Sequence, residues 1–218
     1  MTHAFDPAVL RVVFVTDGRG DEARIEAQVQ AVVRGGVRTV QVREPLLKAR
    51  QLAELGERLR QVLASCDGML LVNDRVDCAA AGAFDGAQVG HHSLRPLAAR
   101  RALGHDRVLG VSTHDAAELA EAVAAGADFA LLSPIWPVRA KPQSVPLGVA
   151  TAAALTAVAS LPVVWLGGIE ATGADEIAAL PQKQRPVGVA VMSLFAQARD
   201  PQAAAAGVVA AFAAVLRR

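Results

Sequence analysis

The sequence predicts an α/β fold, a (β/α)8 TIM barrel, with residues 1–218 forming a single domain. Two observations carry this reading. Eight short apolar runs rich in β-branched residues recur along the chain, separated by segments rich in Ala, Leu, Glu, Arg and Gln. Each run ends in polar or glycine residues: Thr16-Asp17, Arg43-Glu44, Asn73-Asp74, Gly90-His91-His92, Ser112-Thr113-His114, Ser133-Pro134, Gly167-Gly168 and Met192-Ser193. Strands alternating with helices call for parallel pairing through right-handed crossovers. Closure of eight such units gathers all the polar ends at one mouth, the face on which barrels of this kind do their chemistry.

The strands expected are Arg11–Thr16, Thr39–Arg43, Met69–Val72, Ala87–Val89, Val108–Ser112, Phe129–Leu132, Val163–Leu166 and Val187–Val191. They are nearly continuous in apolar character, as strands buried on both faces should be. The clearest helical segments are Glu22–Arg34, Leu46–Ala64, Ala116–Ala125 and Gln202–Leu216. Asp21 and Asp115 are placed as N-caps, and Gly35-Gly36, Gly82 and Gly126 as helix stops before the next strand. The rival architecture, an open doubly wound sheet, would show a glycine-rich turn after the first strand. Thr16-Asp17-Gly18-Arg19-Gly20 has two glycines, but their spacing and the acidic pair that follows do not fit. Between Ser133 and Gly148 four prolines (Pro134, Pro137, Pro142 and Pro146) argue against a helix. A long irregular loop in a compact domain is usually functional. This one carries Arg139 and Lys141 and reads as a flap over an anion.

Composition narrows the function classes. Lys and Arg total 22 against 21 Asp and Glu, a net charge of +1, so neither nucleic acid nor a membrane surface is expected as a partner. No apolar run approaches the roughly 20 residues that span a bilayer, and the N-terminus lacks the pattern of a signal peptide. Cys66 and Cys78 form no metal or redox spacing, and the chain reads as cytoplasmic. The oligomeric state is left open, a homo-oligomer included.

At the strand ends, Gly167, Gly168, Met192 and Ser193 follow the seventh and eighth strands, the usual phosphate site of this fold. The bland alternative for the glycines is a tight turn. Arg43 suits bidentate contact with a carboxylate or phosphate, or else an ion pair with Glu44 or Asp74. Asp74 is a Mg²⁺ ligand or a structural partner for an arginine, and one carboxylate alone is weak support for metal. His114, closing the fifth strand in GVSTH, is placed for acid–base work, against a histidine packed beside the helix-five cap. His91 and His92 lack a third ligand at useful spacing and read as exposed loop residues. Trp136 and Trp165 read as packing residues.

Taken in order, Val15–Asp17 (VTD), Gln41–Glu44 (QVRE), Asn73–Asp77 (NDRVD), Gly110–His114 (GVSTH), Ala125–Asp128 (AGAD), Ser133–Pro137 (SPIWP), Pro162–Ile169 (PVVWLGGI) and Gly188–Ser193 (GVAVMS) resemble the thiamine phosphate synthase/TenI superfamily over nearly the whole chain. The resemblance implies one of two activities. Synthases join an aminopyrimidine diphosphate to a carboxythiazole phosphate, with Mg²⁺, and release diphosphate. TenI-type proteins aromatise the thiazole phosphate tautomer by moving a proton. The match is complete for the thiazole-phosphate half, where Gly167, Gly168 and Ser193 stand, and Asn73-Asp74 and His114 fall on family positions. Arg43 and Asn73, with Ser112 and Lys141, are implied substrate contacts.

The diphosphate half departs from the synthase pattern. Pro45 replaces a lysine after Arg43-Glu44, Ser93 replaces a second metal-binding aspartate, and Pro137–Lys141 keeps only the proline and the lysine of the diphosphate loop. A diphosphate leaving group needs concentrated positive charge. The sequence therefore favours a TenI-like tautomerase with His114 as the acid–base and no cofactor. The alternative is a Mg²⁺-dependent synthase using Asp74. Further alternatives are a non-enzymatic thiazole-phosphate sensor and a phosphosugar isomerase, though strand six ends in Ser133-Pro134 and lacks the carboxylate the last would need.

Overall fold

The computed structural model describes residues 6–139 and 142–216. Lys141, named above as a substrate contact, lies outside the described residues. Eight parallel strands close into a barrel in sequence order: β1 (Val12–Val15), β2 (Thr39–Val42), β3 (Met69–Asn73), β4 (Gly86–Val89), β5 (Val108–Thr113), β6 (Phe129–Leu132), β7 (Val163–Leu166) and β8 (Gly188–Val191), with β8 pairing back onto β1. The helices are α1 (Glu22–Arg34), α2 (Ala49–Ala64), α3 (Val76–Ala80), α4 (Pro96–Leu103), α5 (Ala116–Ala124), α6 (Gly148–Val158), α7 (Gly173–Ala178), α8 (Ser193–Ala196) and α9 (Pro201–Phe212). The side chains of Asp21 and Asp115 cap α1 and α5 as expected, each accepting from the amide three residues on. The α2 helix starts three residues later than its apolar pattern suggested, because Glu44–Leu47 forms a turn closed by the Leu47 amide on the Glu44 carbonyl.

Two apolar clusters hold the fold. The larger lies between the sheet and the helices, with Phe14, Leu55, Leu59, Trp165, Phe195 and Phe212 fully buried. The smaller fills the barrel interior and includes Val13, Val15, Leu71, Phe129, Leu131, Val164 and Ala190. Along a strand every second residue points inward. That parity places Gln41, Asn73, Gln88 and Ser112 in the interior as well. The barrel is thus two-sided: β6, β7, β8 and β1 present an apolar wall, while β2 to β5 present amides and a hydroxyl near their C-terminal ends. Gln41 and Gln88 are buried polar residues inside runs that otherwise look like core.

Candidate active site

The polar wall is wired by hydrogen bonds that end at the mouth. Gln41 Nε2 donates to Asn73 Oδ1 at 3.0 Å, and Asn73 Nδ2 donates to Asp74 Oδ2 at 2.7 Å. Ser93 Oγ donates to the other oxygen of the same carboxylate. The Gly90 amide donates to Ser93 Oγ at 2.7 Å, closing the β4–α4 loop beneath it. Asp74 adopts φ +60°, a left-handed conformation that aspartate tolerates better than most residues. Its amide donates to the Gln88 carbonyl, so the turn is pinned between β3 and β4. The Asp74 side chain is exposed in the mouth although both its oxygens are engaged.

Arg43 makes neither of the ion pairs considered for it. The Glu44 carboxylate is buried and accepts from the amides of Gly18 (3.2 Å) and Gly20 (2.7 Å). Asp74 is taken by Asn73 and Ser93. The Arg43 guanidinium lies beside Gly18, where a Cβ would sit 3.3 Å from Nη1, and among the described residues it has no ion pair. Glu44 also explains the two glycines of the first loop: their amides serve a buried carboxylate of this chain, not a nucleotide phosphate.

On the far side, Gly167 (φ +101°) and Gly168 (φ +68°) carry the β7 turn past the flap. A Cβ on Gly168 would stand 2.6 Å from Trp136 Cβ and 2.7 Å from the Pro137 carbonyl oxygen. The flap zips along this turn, with the Ile135 amide donating to Leu166 and the Trp136 amide to Gly167. Trp136 Nε1 then donates to Glu176 on α7 at 3.0 Å. Trp165 is fully buried and donates to Thr156. Both indoles therefore pack, as their sequence context suggested. The glycines are required by the flap, which passes too close for a side chain. Ser193 starts α8, whose first amides lack intrahelical acceptors, as in any helix. Two donors, Arg24 Nη2 (3.1 Å) and Gln28 Nε2 (2.9 Å), hold the Ala196 carbonyl at the other end of α8. Arg24 is itself clamped by Asp17 in a bidentate pair of 2.9 and 2.8 Å, which holds the Asp17 carboxyl below its usual value of 3.8.

His114 follows β5 on the rim and is exposed. Glu118 Oε2 meets both its amide (2.7 Å) and its Nδ1 (2.8 Å). This contact keeps the proton on Nδ1 of the neutral ring and leaves Nε2 as an acceptor. Glu118 was missed in the sequence, although Asp115-x-x-Glu118 is a capping-box spacing that marks it. Gln41 and Gln88 were missed for want of any local signal. His91 and His92 are exposed and meet edge to face. Arg139 is almost wholly exposed, 3.9 Å from Glu170.

Asp74 and Ser93 are the residues that could hold a metal. Among the described residues no three His, Cys, Asp or Glu side chains cluster as a metal site. Mg²⁺ does not need that: it is commonly held by one or two carboxylates together with substrate phosphates. A carboxylate oxygen and a hydroxyl oxygen side by side at an open mouth are the hard donors it takes, so the pair fits the ion when a diphosphate completes the shell. No helix among the described residues is long and apolar enough to cross a membrane.

A family model described as TMP-TENI, thiamine monophosphate synthase, matches residues 12–195. A thiamine-phosphate synthase of Haloquadratum walsbyi is 38% identical over 81% of this chain and 78% of its own. One from Chloroflexus aurantiacus is 36% identical over 89% of each chain. The solved thiamine phosphate pyrophosphorylase of Pyrococcus furiosus superposes with a TM-score of 0.84 at 27% identity, covering 96% of this chain and 98% of that one.

Proposed function

The chain belongs to the thiamine monophosphate synthase family of thiamine-biosynthesis enzymes, and we propose that it is a thiamine-phosphate synthase, coupling an aminopyrimidine diphosphate to a thiazole phosphate with release of diphosphate. The tautomerase favoured by the motif departures gives way to its alternative, because the relatives that match most of this chain carry the synthase name. The observation that carries the reading is the Asp74–Ser93 pair. The departure at Ser93 weighed heavily against diphosphate chemistry, yet the serine oxygen sits against the Asp74 carboxylate and supplies a second hard donor there. Mg²⁺ bound at this pair would stabilise the negative charge that develops on a departing diphosphate.

The remaining roles follow from placement. Arg43, with no carboxylate partner among the described residues, supplies a cation on the same side of the mouth. The polar wall from Gln41 to Ser112 faces a heterocycle with hydrogen-bonding groups. Gly167, Gly168, Met192 and Ser193, on the opposite side, take the phosphate of the second substrate through backbone amides. Arg139 is assigned to the anions, and Lys141 keeps the substrate role that its motif implies. The partners are small phosphorylated molecules. Release of diphosphate from the pyrimidine substrate, dependent on the presence of the thiazole phosphate, tests the reading.

One observation favours the second reading, a proton-shifting isomerase. Glu118 holds Nδ1 of His114, so that in the neutral ring Nε2 is the free acceptor, as a general base needs. Conversion of the thiazole phosphate tautomer without any pyrimidine substrate would support it.

A further inference from the structure

Gln88 is buried to 1% in the barrel interior, and only one end of its amide has a polar partner: Nε2 donates to Ser112 Oγ at 3.0 Å. Among the described residues Oε1 has no hydrogen-bond partner. Its surroundings nevertheless fix which end is oxygen. An ideal Cβ on Gly110 would lie 2.0 Å from Oε1, so the Gly110 α-hydrogen points straight at this atom. A Cα–H group is a weak donor to oxygen and would clash with the hydrogens of an NH₂. Turning the amide over would also leave both N–H donors of the buried amide without an acceptor, where the present orientation gives one of them to Ser112. Gly110 therefore sets the amide, and the amide sets the serine.

A hydroxyl carries one donor and two acceptor sites. With one acceptor site taken by Gln88 Nε2, and no protein acceptor for its own hydrogen among the described residues, the Ser112 O–H is left to donate. Ser112 is partly exposed at the end of β5, while Gln88 below it is sealed. Gly90, at the end of the neighbouring strand, has no side chain, and even a Cβ there would stay 3.6 Å from Ser112 Oγ. We propose that Gln88 is a positioning residue that occupies one acceptor site of Ser112 and turns its O–H toward the mouth, so that this wall favours a substrate heterocycle presenting an unprotonated ring nitrogen. This deepens the function proposed above and rests on it for the substrate's identity, though not for the polarity of the serine.

The test is a double-mutant cycle read by direct binding and by kcat/KM. Gln88→Met keeps the volume and removes the donor. It should weaken binding of the aminopyrimidine diphosphate about tenfold, the scale of one hydrogen bond, while affinity for inorganic phosphate alone stays as in the wild type. Ser112→Ala should lose a similar factor, and Gln88→Met added to Ser112→Ala should lose nothing more. Gln88→Asn keeps a buried amide that falls short of Ser112 and should repeat the Gln88→Met result, including in a background where the methionine variant fails to fold. Losses that multiply in the double variant, or equal losses for inorganic phosphate, would overturn the proposal by showing a general packing role. If the wild type binds the heterocycle and shows the coupling but forms no thiamine phosphate, the positioning role stands and the synthase reading falls. If the wild type couples its substrates and Gln88→Met changes nothing, the reverse holds.

Discussion

The hydroxyl of Ser93 donates to the carboxylate of Asp74 across the β3 and β4 ends of the barrel. The two residues are 19 apart in sequence and meet because both strands end at the same mouth. Replacing Ser93 by aspartate would set two carboxylates against each other, favourable only when a cation joins them. Ser93→Asp should therefore lower the Mg²⁺ concentration needed for half-maximal coupling by about tenfold and reduce thermal stability without the ion. Ser93→Ala should raise that concentration. Titration of coupling rate against Mg²⁺, with melting curves in chelator, checks both.

Gly168 is where flap and phosphate side meet. Gly168→Val forces a β-branched residue into φ +68° and drives its Cβ into the Trp136 and Pro137 backbone region. KM for the thiazole phosphate should rise at least about tenfold, since the flap contact and the amide approach are lost together. KM for the pyrimidine diphosphate should move less. Steady-state kinetics on the folded variant, with Trp136 fluorescence as a report on the flap, measures this. An unchanged thiazole phosphate KM would remove these glycines from the site.

His114 separates the two activities. In a synthase its imidazole stands on the rim, oriented by Glu118 and not required for bond formation, so His114→Asn should keep coupling within about tenfold of wild type. A loss of ~10²–10⁴-fold, the range of a positioned acid or base, would bring the imidazole into the chemistry. Glu118→Gln should then reproduce part of the loss and shift the pH profile, since it releases the ring from the Nδ1-protonated form.

The Asp17–Arg24 pair predicts a pH effect on stability. The guanidinium holds the Asp17 carboxyl below its unfolded value near 3.8. A depressed folded value contributes stability above the unfolded pKa, and that contribution fades as pH falls through the folded one. Asp17→Asn should thus be less stable than wild type at neutral pH, with the gap closing below about pH 4. Denaturant melts at pH 7, 4 and 3 give the comparison. Because Arg24 also holds the Ala196 carbonyl of α8, the variant should also weaken phosphate binding.

The fold was legible because it rests on repetition. Eight buried strands between amphipathic helices leave few other closures, and β6 and β7 lie where their apolar runs begin and end. The mouth residues were legible for the same reason, since they fall at or just after the C-terminal ends of the strands. What the sequence hid depends on pairing across the barrel. Nothing in the run Gly86–Val89 tells a lumen glutamine from a tolerated core polar residue until Gly110 and Ser112 are seen against it. Glu44 looked like a partner for Arg43 next door, but two loop amides outcompete that pair because burial rewards hydrogen bonds to a carboxylate. Ser93 read as a lost metal ligand because a motif compares residue types, whereas the fold brings its oxygen back beside Asp74.

The most direct measurement mixes the purified protein with the aminopyrimidine diphosphate and the carboxythiazole phosphate, with Mg²⁺ or with chelator, and follows thiamine phosphate and diphosphate together. In a parallel arm the thiazole phosphate tautomer is given alone. The account predicts equimolar thiamine phosphate and diphosphate with Mg²⁺, little of either in chelator, and no accelerated conversion of the tautomer by itself. Rapid tautomer conversion that ignores Mg²⁺, with no diphosphate released in the coupling arm, would contradict it.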